Sequence, residues 1–315
     1  MTHLLKMALI SALALAALLA QPAWAAPKVV VSIKPIASLV EGIMAGVGVP
    51  SVIVGGGQSI HTFAMKPSDA RALNDADVVF WVGEGLETFL AKPIASLTSG
   101  ATVVELVDTP GLTVLKSREG GMWESHAEEQ AVDHGHDHDH GHDFDGHIWL
   151  DPANAKAMVK TIEIALSEVD STNAQAYAAN AAAVLARIDA LDAELRHALA
   201  PIKARPYVVF HDGYQYFERA YGLNAVGSIT VSPERAPGAK RVAEVREKIG
   251  SLKAACVFAE PQFEPKLVGM LIEGTAAKTG TLDPEAATLP AGPELYFDLM
   301  RGLARNLTAC LAPAP

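Results

Sequence analysis

A long segment in the middle of the chain, residues 174–200, constrains the fold more than any other feature. It is rich in alanine and contains no glycine or proline. Its aliphatic side chains recur at three- and four-residue spacing on one helix face: Val184, Ile188, Leu191, Leu195 and Leu199. A helix of this length spans roughly 40 Å. We therefore expect residues 171–200 to form a rigid helix that connects two lobes.

Strand and helix patterns alternate on both sides of this connector. Apolar, β-branched runs predict strands at 29–33, 49–54, 77–82, 102–106, 207–210, 225–229, 254–259 and 280–282. Helical patterns separate them, including 84–92 in the first half and 294–309 at the end. Such alternation is typical of parallel βα units. The sequence therefore predicts an α/β fold of two βα lobes, each with a mostly parallel sheet flanked by helices, at 26–170 and 201–315.

The N-terminal segment 1–25 has the features of a secretory signal peptide. A basic start is followed by an apolar stretch at 7–20, and Ala23 and Ala25 supply small residues before the expected cleavage point. The apolar stretch is short for a membrane span, no cysteine follows it for lipid attachment, and no other apolar run is long enough to cross a bilayer. We expect a soluble exported protein without a membrane anchor.

Two cysteines, Cys256 and Cys310, remain in the mature chain. An even number in an oxidising compartment favours one disulfide. Two buried free thiols are the alternative.

Seven of the chain's eleven histidines lie between His126 and His147, alternating with aspartate and glycine. Such a tract cannot bury itself in a core, and its composition is typical of metal binding. Because residues of about 116–146 also lack any periodicity, we expect a mobile loop that acts as an auxiliary metal collector. Its histidines are His126, His134, His136, His138, His140 and His142. A solvated acidic linker with incidental histidines is the alternative.

Three further histidines have settings suited to a tighter site. His61 follows a predicted strand and a glycine turn, His147 begins an apolar segment after the tract, and His211 directly follows a predicted strand. Ligands of open α/β sheets collect beyond the carboxyl ends of the strands. Three imidazoles form a normal zinc shell that leaves one position for a carboxylate or water. Singly, each could instead be a surface histidine or a polar cap.

Several segments resemble those of a known family. They are GGQSIHTFAMKPSD at 56–69, HIWLDP at 147–152, FHDGYQYF at 210–217, VFAEPQF at 257–263 and TLDP at 281–284. Together they resemble the metal-ligand segments of the metal-specific cluster of solute-binding proteins, over nearly the whole mature chain. The zinc-binding (ZnuA-type) branch is most similar, with a histidine-rich insertion before the second ligand and a comparable cysteine pair.

The resemblance implies a metal held between two βα lobes by His61, His147 and His211. Some zinc members place glutamate before the first histidine, where this chain has Ile60. Manganese members place an aspartate at the position of Asp283, which leaves Asp283 or water as the fourth ligand. A helix N-cap is the alternative role for Asp283. Manganese members also replace the third histidine by a carboxylate, so His211 favours zinc.

The predicted function is therefore high-affinity periplasmic zinc binding. The resemblance implies that the protein delivers Zn²⁺ to the membrane permease of an ABC importer, with a periplasmic metallochaperone as a possible second partner. We expect a monomer that is not an enzyme. The formal net charge of −11 argues against nucleic acid as a partner and suits a cation.

Three alternatives remain open at this point. One is a manganese-binding protein of the same class. Another is an exported zinc-dependent hydrolase with Glu260 as general base, although the chain has no His-Glu-x-x-His segment. The third is a periplasmic metal buffer or adhesin without an importer.

Overall fold

The computed structural model describes residues 26–118, 144–230, 238–263 and 266–312. The predicted signal peptide, 1–25, and the auxiliary histidines between His126 and His142 lie outside these residues. Within the described ranges, no helix combines the length and the apolar character that crossing a membrane requires.

The N-terminal lobe is built on a four-stranded parallel sheet. Its strands are β1 (Val29–Ile33), β2 (Ser51–Val54), β3 (Val78–Trp81) and β4 (Thr102–Glu105). They lie in the order β2-β1-β3-β4. All residues of the central strand β1 are buried, as expected for a parallel strand covered on both faces.

The C-terminal lobe repeats this design. Its strands are β5 (Tyr207–His211), β6 (Ala225–Thr230), β7 (Cys256–Ala259) and β8 (Lys278–Thr281). They are parallel and lie in the order β6-β5-β7-β8, which matches the order of the first sheet. The predicted α/β fold with two βα lobes is therefore confirmed.

Nine helices of the described chain flank these sheets. They are α1 (Lys34–Ile43), α2 (Pro67–Asn74), α3 (Thr88–Leu97), α4 (Pro152–Val169), α5 (Ala174–Leu199), α6 (Gln215–Tyr221), α7 (Ala239–Ser251), α8 (Lys266–Ile272) and α9 (Leu295–Leu311). Helix α4 begins at Pro152, directly after Asp151, where an Asp151 carboxylate oxygen accepts the backbone N–H of Ala153 at 2.7 Å.

The prediction of a helix at 84–92 was wrong in its bounds, because α3 begins later and ends later. Both carboxylate oxygens of Glu87 accept backbone N–H groups, from Val82 at 3.1 Å and from Gly83 at 2.8 Å. These bonds hold a turn between β3 and the helix, and Gly83 adopts φ +150° there.

Helix α5 is the predicted connector. It buries the predicted aliphatic face, together with Tyr177 and Ala181. That face packs against α1 and α4 of the first lobe and against the C-terminal helix α9. The connector is therefore a packed part of the molecule rather than an exposed linker.

One apolar cluster extends through both lobes and α5. It contains Val31 of β1, Ile188 of α5 and Phe258 of β7. A second cluster covers the opposite face of the C-terminal sheet and contains Val208 and Val257. The predicted disulfide is present and joins Cys256, at the start of β7, to Cys310 in α9.

Candidate metal centre

His61 lies in a short 3₁₀ turn, Ile60–Thr62, that follows β2 and its glycine turn. The Ser59 hydroxyl accepts the backbone N–H of His61 at 3.3 Å and fixes the start of this turn. The Nε2 atom of His61 is buried and has no hydrogen-bond partner in the described structure. Burial and the neighbouring His211 and His147 hold the pKa of this imidazole well below its usual value. His61 therefore presents a neutral ring with a free nitrogen.

His147 comes from the chain that returns after the tract and precedes the fully buried 3₁₀ turn Ile148–Leu150. One carboxylate oxygen of Asp145 accepts both the backbone N–H of His147, at 3.0 Å, and its ring Nδ1, at 2.8 Å. Burial raises the pKa of Asp145, but the hydrogen bond and charge of His147 lower it overall. Asp145 is thus a charged partner that orients the His147 ring.

His211 is the last residue of β5 and is held in the same way by the neighbouring strand. Its Nδ1 lies 2.7 Å from an oxygen of Glu260, which follows β7. The Tyr214 hydroxyl donates to the same oxygen at 3.0 Å. Burial disfavours a charge on His211, but the attraction and hydrogen bond of Glu260 raise its pKa overall.

The three histidines converge although they come from distant parts of the chain. One ring nitrogen of each lies within 4.8 Å of the others, which makes His61, His147 and His211 a possible metal-binding group among the described residues. The Nε2 atoms of His147 and His211 are 3.2 Å apart. Two nitrogens on a tetrahedral zinc ion, with Zn–N bonds of about 2.0–2.1 Å, lie about 3.3 Å apart. The pair therefore already has the spacing that zinc requires.

The carboxylate partners also fix which nitrogen faces the ion. Nδ1 of His147 and Nδ1 of His211 each point at a carboxylate, so each donates its N–H there and leaves Nε2 as the free nitrogen. Metal-binding histidines are commonly oriented in this way. The arrangement is suited to binding a cation between the lobes.

Gly213 leaves the space that such an ion needs. A Cβ atom at this position would lie 2.9 Å from Nε2 of His147 and closer still to Nε2 of His211. A side chain here would therefore occupy the volume between the two ring nitrogens.

The structure does not bring the predicted fourth ligand, Asp283, into this group. Its carboxylate accepts the backbone N–H groups of Ala287 at 2.9 Å and of Thr288 at 3.1 Å. Both oxygens are thus used in capping a turn. Residues 284–294 form no helix, so the helix N-cap considered as the alternative role of Asp283 is not formed. A further acid near the histidines, besides their partners Asp145 and Glu260, is Glu285.

Glu285 is buried and accepts the backbone N–H of Ile60 at 3.0 Å. Burial raises the pKa of its carboxyl to about 7, although the Ile60 hydrogen bond and the attraction of His211 and His147 oppose the shift. The carboxyl group of Glu285, from the C-terminal lobe, therefore lies beside the backbone of the 60–62 turn that carries His61.

The loop that carries Glu285 is clamped to the N-terminal lobe. Lys34 is buried at the start of α1, and its Nζ donates to the carbonyls of Ala286 at 2.6 Å and of Leu289 at 2.7 Å. The Trp149 indole donates to the carbonyl of Pro284 at 2.9 Å. The two lobes are thus joined by buried hydrogen bonds beside the histidines.

The sequence did not identify the partners Asp145 and Glu285 or the role of Gly213. Asp145 was counted within the tract, two residues before His147, and only its contact with the ring distinguishes it. Glu260 was considered as a base, but it orients His211 instead. Its position at the end of a predicted strand, level with His211, was a usable signal.

Known proteins are similar to this chain in sequence and in fold. The family model described as "Zinc-uptake complex component A periplasmic" matches residues 29–310. The "High-affinity zinc uptake system protein ZnuA" of Brucella suis biovar 1 (strain 1330) is 48% identical over 305 residues, which cover 90% of this chain and 91% of that protein.

Solved structures with the same fold include two of ZnuA proteins. A crystal structure of ZnuA has a TM-score of 0.75 and 26% sequence identity, and it covers 91% of this chain and 100% of its own. A ZnuA deletion mutant with zinc bound has a TM-score of 0.73 and 26% identity, with 92% and 100% covered.

Proposed function

The chain belongs to the ZnuA family of periplasmic zinc-uptake components, and from that membership we propose that its cargo, Zn²⁺, is held by His61, His147 and His211. The protein is a periplasmic zinc-binding protein for zinc uptake. Its family consists of solute-binding proteins rather than enzymes, so the hydrolase alternative gains no support.

The observation that carries the ligand assignment is the convergence of three ring nitrogens at one interlobe position. The 3.2 Å spacing of the His147 and His211 Nε2 atoms suits zinc, and both rings are fixed by carboxylates. A site of three imidazoles favours zinc over manganese, which prefers oxygen ligands.

We assign the fourth coordination position to water or to the Glu285 carboxylate. Asp283 remains the candidate that family resemblance suggests, but its oxygens cap a turn. Glu285 is already buried beside the Ile60 backbone and is attracted to two of the histidines.

Solute-binding proteins of zinc uptake systems work with an ABC permease, and we propose such a permease as the partner that receives the ion. We further propose that segment 1–25 is a signal peptide removed on export, and that the histidine tract collects zinc for the principal site.

The test is the zinc stoichiometry and affinity of the metal-free protein, measured by competition with a chelator. We expect one tight zinc in the wild type and its loss in His61→Ala. His197→Ala is the matched control, because His197 is exposed on α5. Tight binding that survives in His61→Ala would show that the ion sits elsewhere.

Deletion of residues 124–143 tests the tract. We expect the weaker zinc sites to disappear and the single tight site to remain. If the tight site were lost with the tract, the tract rather than the interlobe histidines would be the principal binding site.

A further inference from the structure

The two ends of the histidine tract are joined to each other beside the metal centre. Lys116 and Phe144 form an antiparallel bridge, and the Asp145 N–H donates to the Leu115 carbonyl at 2.9 Å. We call residues 115–118 and 144–147 the tract base. Because His147 belongs to it, the tract base is part of the framework of the site.

The tract base is also bonded to helix α6, which follows the His211 turn in the other lobe. The Tyr216 hydroxyl accepts the N–H of Leu115 at 3.0 Å and donates to the carbonyl of Asp145 at 2.7 Å. Gln215 Nε2 donates to the carbonyl of Lys116 at 3.0 Å. The N-terminal lobe thus reaches across the cleft at this point.

Arg118 adds a charged contact to this crossing. Its Nε donates to both carboxylate oxygens of Asp212, at 3.0 and 2.9 Å, and its NH2 group also bonds to Asp212. Its NH1 group donates to Glu218 at 2.8 Å. Asp212 is the residue between His211 and Gly213, so the guanidinium grips the turn that presents the third histidine.

Because these carboxylates are buried, losing their contact with Arg118 should destabilise them strongly. The side chains of Asp212 and Glu218 are each only 8% exposed, and that of Arg118 is 22% exposed. Without the guanidinium, two nearby buried carboxylates would face each other unpaired, which is costly. They would be expected to separate, to admit water or to take up a proton, and each change removes the ionic contact that holds the 211–213 turn.

We propose that Arg118 is a positioning residue that retains zinc by locking the His211-Asp212-Gly213 turn against the tract base. This inference rests on the proposed role of His211 as a ligand. Arg118 acts on the site through its contacts with Asp212 and Glu218. Its loss should therefore speed zinc release while the three histidines still bind one ion.

A purely structural role for the ion pair makes a different prediction. A guanidinium that only stabilises the fold would affect metal-free and zinc-loaded protein equally. A positioning residue affects the loaded state more, so its loss reduces the extra stability that zinc confers.

The experiment measures the zinc dissociation rate of full-length Arg118→Gln by transfer to an excess of chelator. We expect dissociation at least about ten-fold faster, since groups that orient metal ligands typically contribute ten-fold or more to metal affinity. One tight zinc should remain by stoichiometry. The thermal shift between metal-free and zinc-loaded protein should shrink.

Arg301→Gln is the matched control. It removes another two-point arginine–carboxylate contact, in which Arg301 Nε lies 3.0 Å from both oxygens of Glu194, between helices α5 and α9. We expect the wild-type zinc dissociation rate in this variant. An unchanged rate in Arg118→Gln, with tight zinc retained, would overturn the inference and leave the histidine site intact.

A double-mutant cycle with Asp212→Asn completes the test. If Arg118 acts through Asp212, the double variant should release zinc no faster than the quicker single variant. Additive effects of Arg118→Gln and Asp212→Asn would contradict the inference. Retention of tight zinc in His61→Ala would instead refute the ligand assignment itself.

A conservative variant adds a further check. Arg118→Lys keeps the charge but loses the two-point geometry, so its zinc dissociation rate should lie between those of the wild type and Arg118→Gln.

Discussion

At the scale of single residues, the centre depends on groups that orient the histidines as much as on the histidines. Asp145 and Glu260 each accept a ring Nδ1–H and turn Nε2 toward the interlobe position. The structure places these two Nε2 atoms at a zinc-like spacing. Carboxylate partners that hold the rings in this orientation reduce the cost of organising the ligands, which favours high affinity.

Gly213 supplies a direct test of that geometry. Gly213→Ala would place a methyl group between the nitrogens of His147 and His211, so we expect loss of the tight zinc with little loss of folded protein. Chelator competition measures the first quantity, and circular dichroism the second. Gly250→Ala is a suitable control, because a Cβ there meets nothing within 4 Å. Full zinc affinity in Gly213→Ala would mean that the ion does not bind between these rings.

Zinc binding should release protons near neutral pH. The pKa of His211 is raised, and burial raises that of Glu285 to about 7, so both groups carry protons more often than usual in the metal-free protein. A dication requires neutral imidazole and favours ionised carboxyl groups. Zinc affinity should therefore fall as the pH is lowered below about 7.

Calorimetry in buffers of different ionisation enthalpy counts the released protons. The Glu285→Gln variant should release fewer protons on zinc binding than the wild type. Glu87→Gln should not change the number, although burial raises the pKa of Glu87 to about 7 as well. An equal number of released protons in Glu285→Gln and wild type would show that Glu285 does not lose a proton when zinc binds.

The sequence could predict the histidines but not their partners. His61 and His211 stand out because each follows a strand, and His147 because apolar residues replace the tract after it. The role of Asp145 depends on its contact with the His147 ring, and those of Glu285 and Lys34 depend on contacts across the lobes; local patterns encode neither. Asp283 was predicted as a ligand by resemblance alone. In the structure its carboxylate oxygens accept backbone N–H groups of the turn that follows it.

At the scale of elements, the strand and helix patterns of the sequence were sufficient to predict most elements, because the apolar residues of these patterns are mostly buried in the structure. The predicted face of α5 is buried throughout, and the predicted strands recur in both sheets. The start of α3 was missed because the bonds of Glu87 to Val82 and Gly83 form a turn that hydrophobic periodicity does not show. The limits proposed for the two lobes and the connector remain predictions.

The disulfide ties β7 to α9 and should stabilise the C-terminal lobe. Cys256 and Cys310 are 54 residues apart, and closing a loop of that length stabilises by about 4 kcal/mol in the chain-entropy model. We expect Cys256→Ala/Cys310→Ala to lose a comparable amount in chemical denaturation. Reduced wild type should behave in the same way.

The same variant should keep its zinc site. Cys256 begins β7, whereas Glu260 follows the other end of that strand, so the disulfide lies away from the histidines. Unchanged stability after removal of both thiols would show that packing of α9 alone holds the lobe together.

At the scale of the whole molecule, the lobes are not independent bodies. One apolar cluster runs through both and through α5, and Lys34 and Trp149 add buried hydrogen bonds across the cleft. A wide hinge motion would have to separate these contacts. We therefore expect zinc to leave by local movement of the site rather than by wide opening of the lobes.

Small-angle scattering can check this expectation. The protein lacking residues 124–143 is the better sample, because zinc then has no tract histidines to bind and the comparison reports on the interlobe site. We expect the radius of gyration, about 19 Å for a compact chain of this size, to differ by less than about 1 Å between metal-free and zinc-loaded protein. A change of several ångströms would indicate hinge closure.

The matching strand orders of the two sheets have a consequence for how such a protein can change over generations. His61 and His147 stand at turns outside the sheets, and His211 is the last residue of its strand. Exchanging a donor therefore leaves the core that supports it in place. A single substitution of a donor in one lobe can consequently change which ion the protein prefers, while the inherited fold of both lobes stays the same.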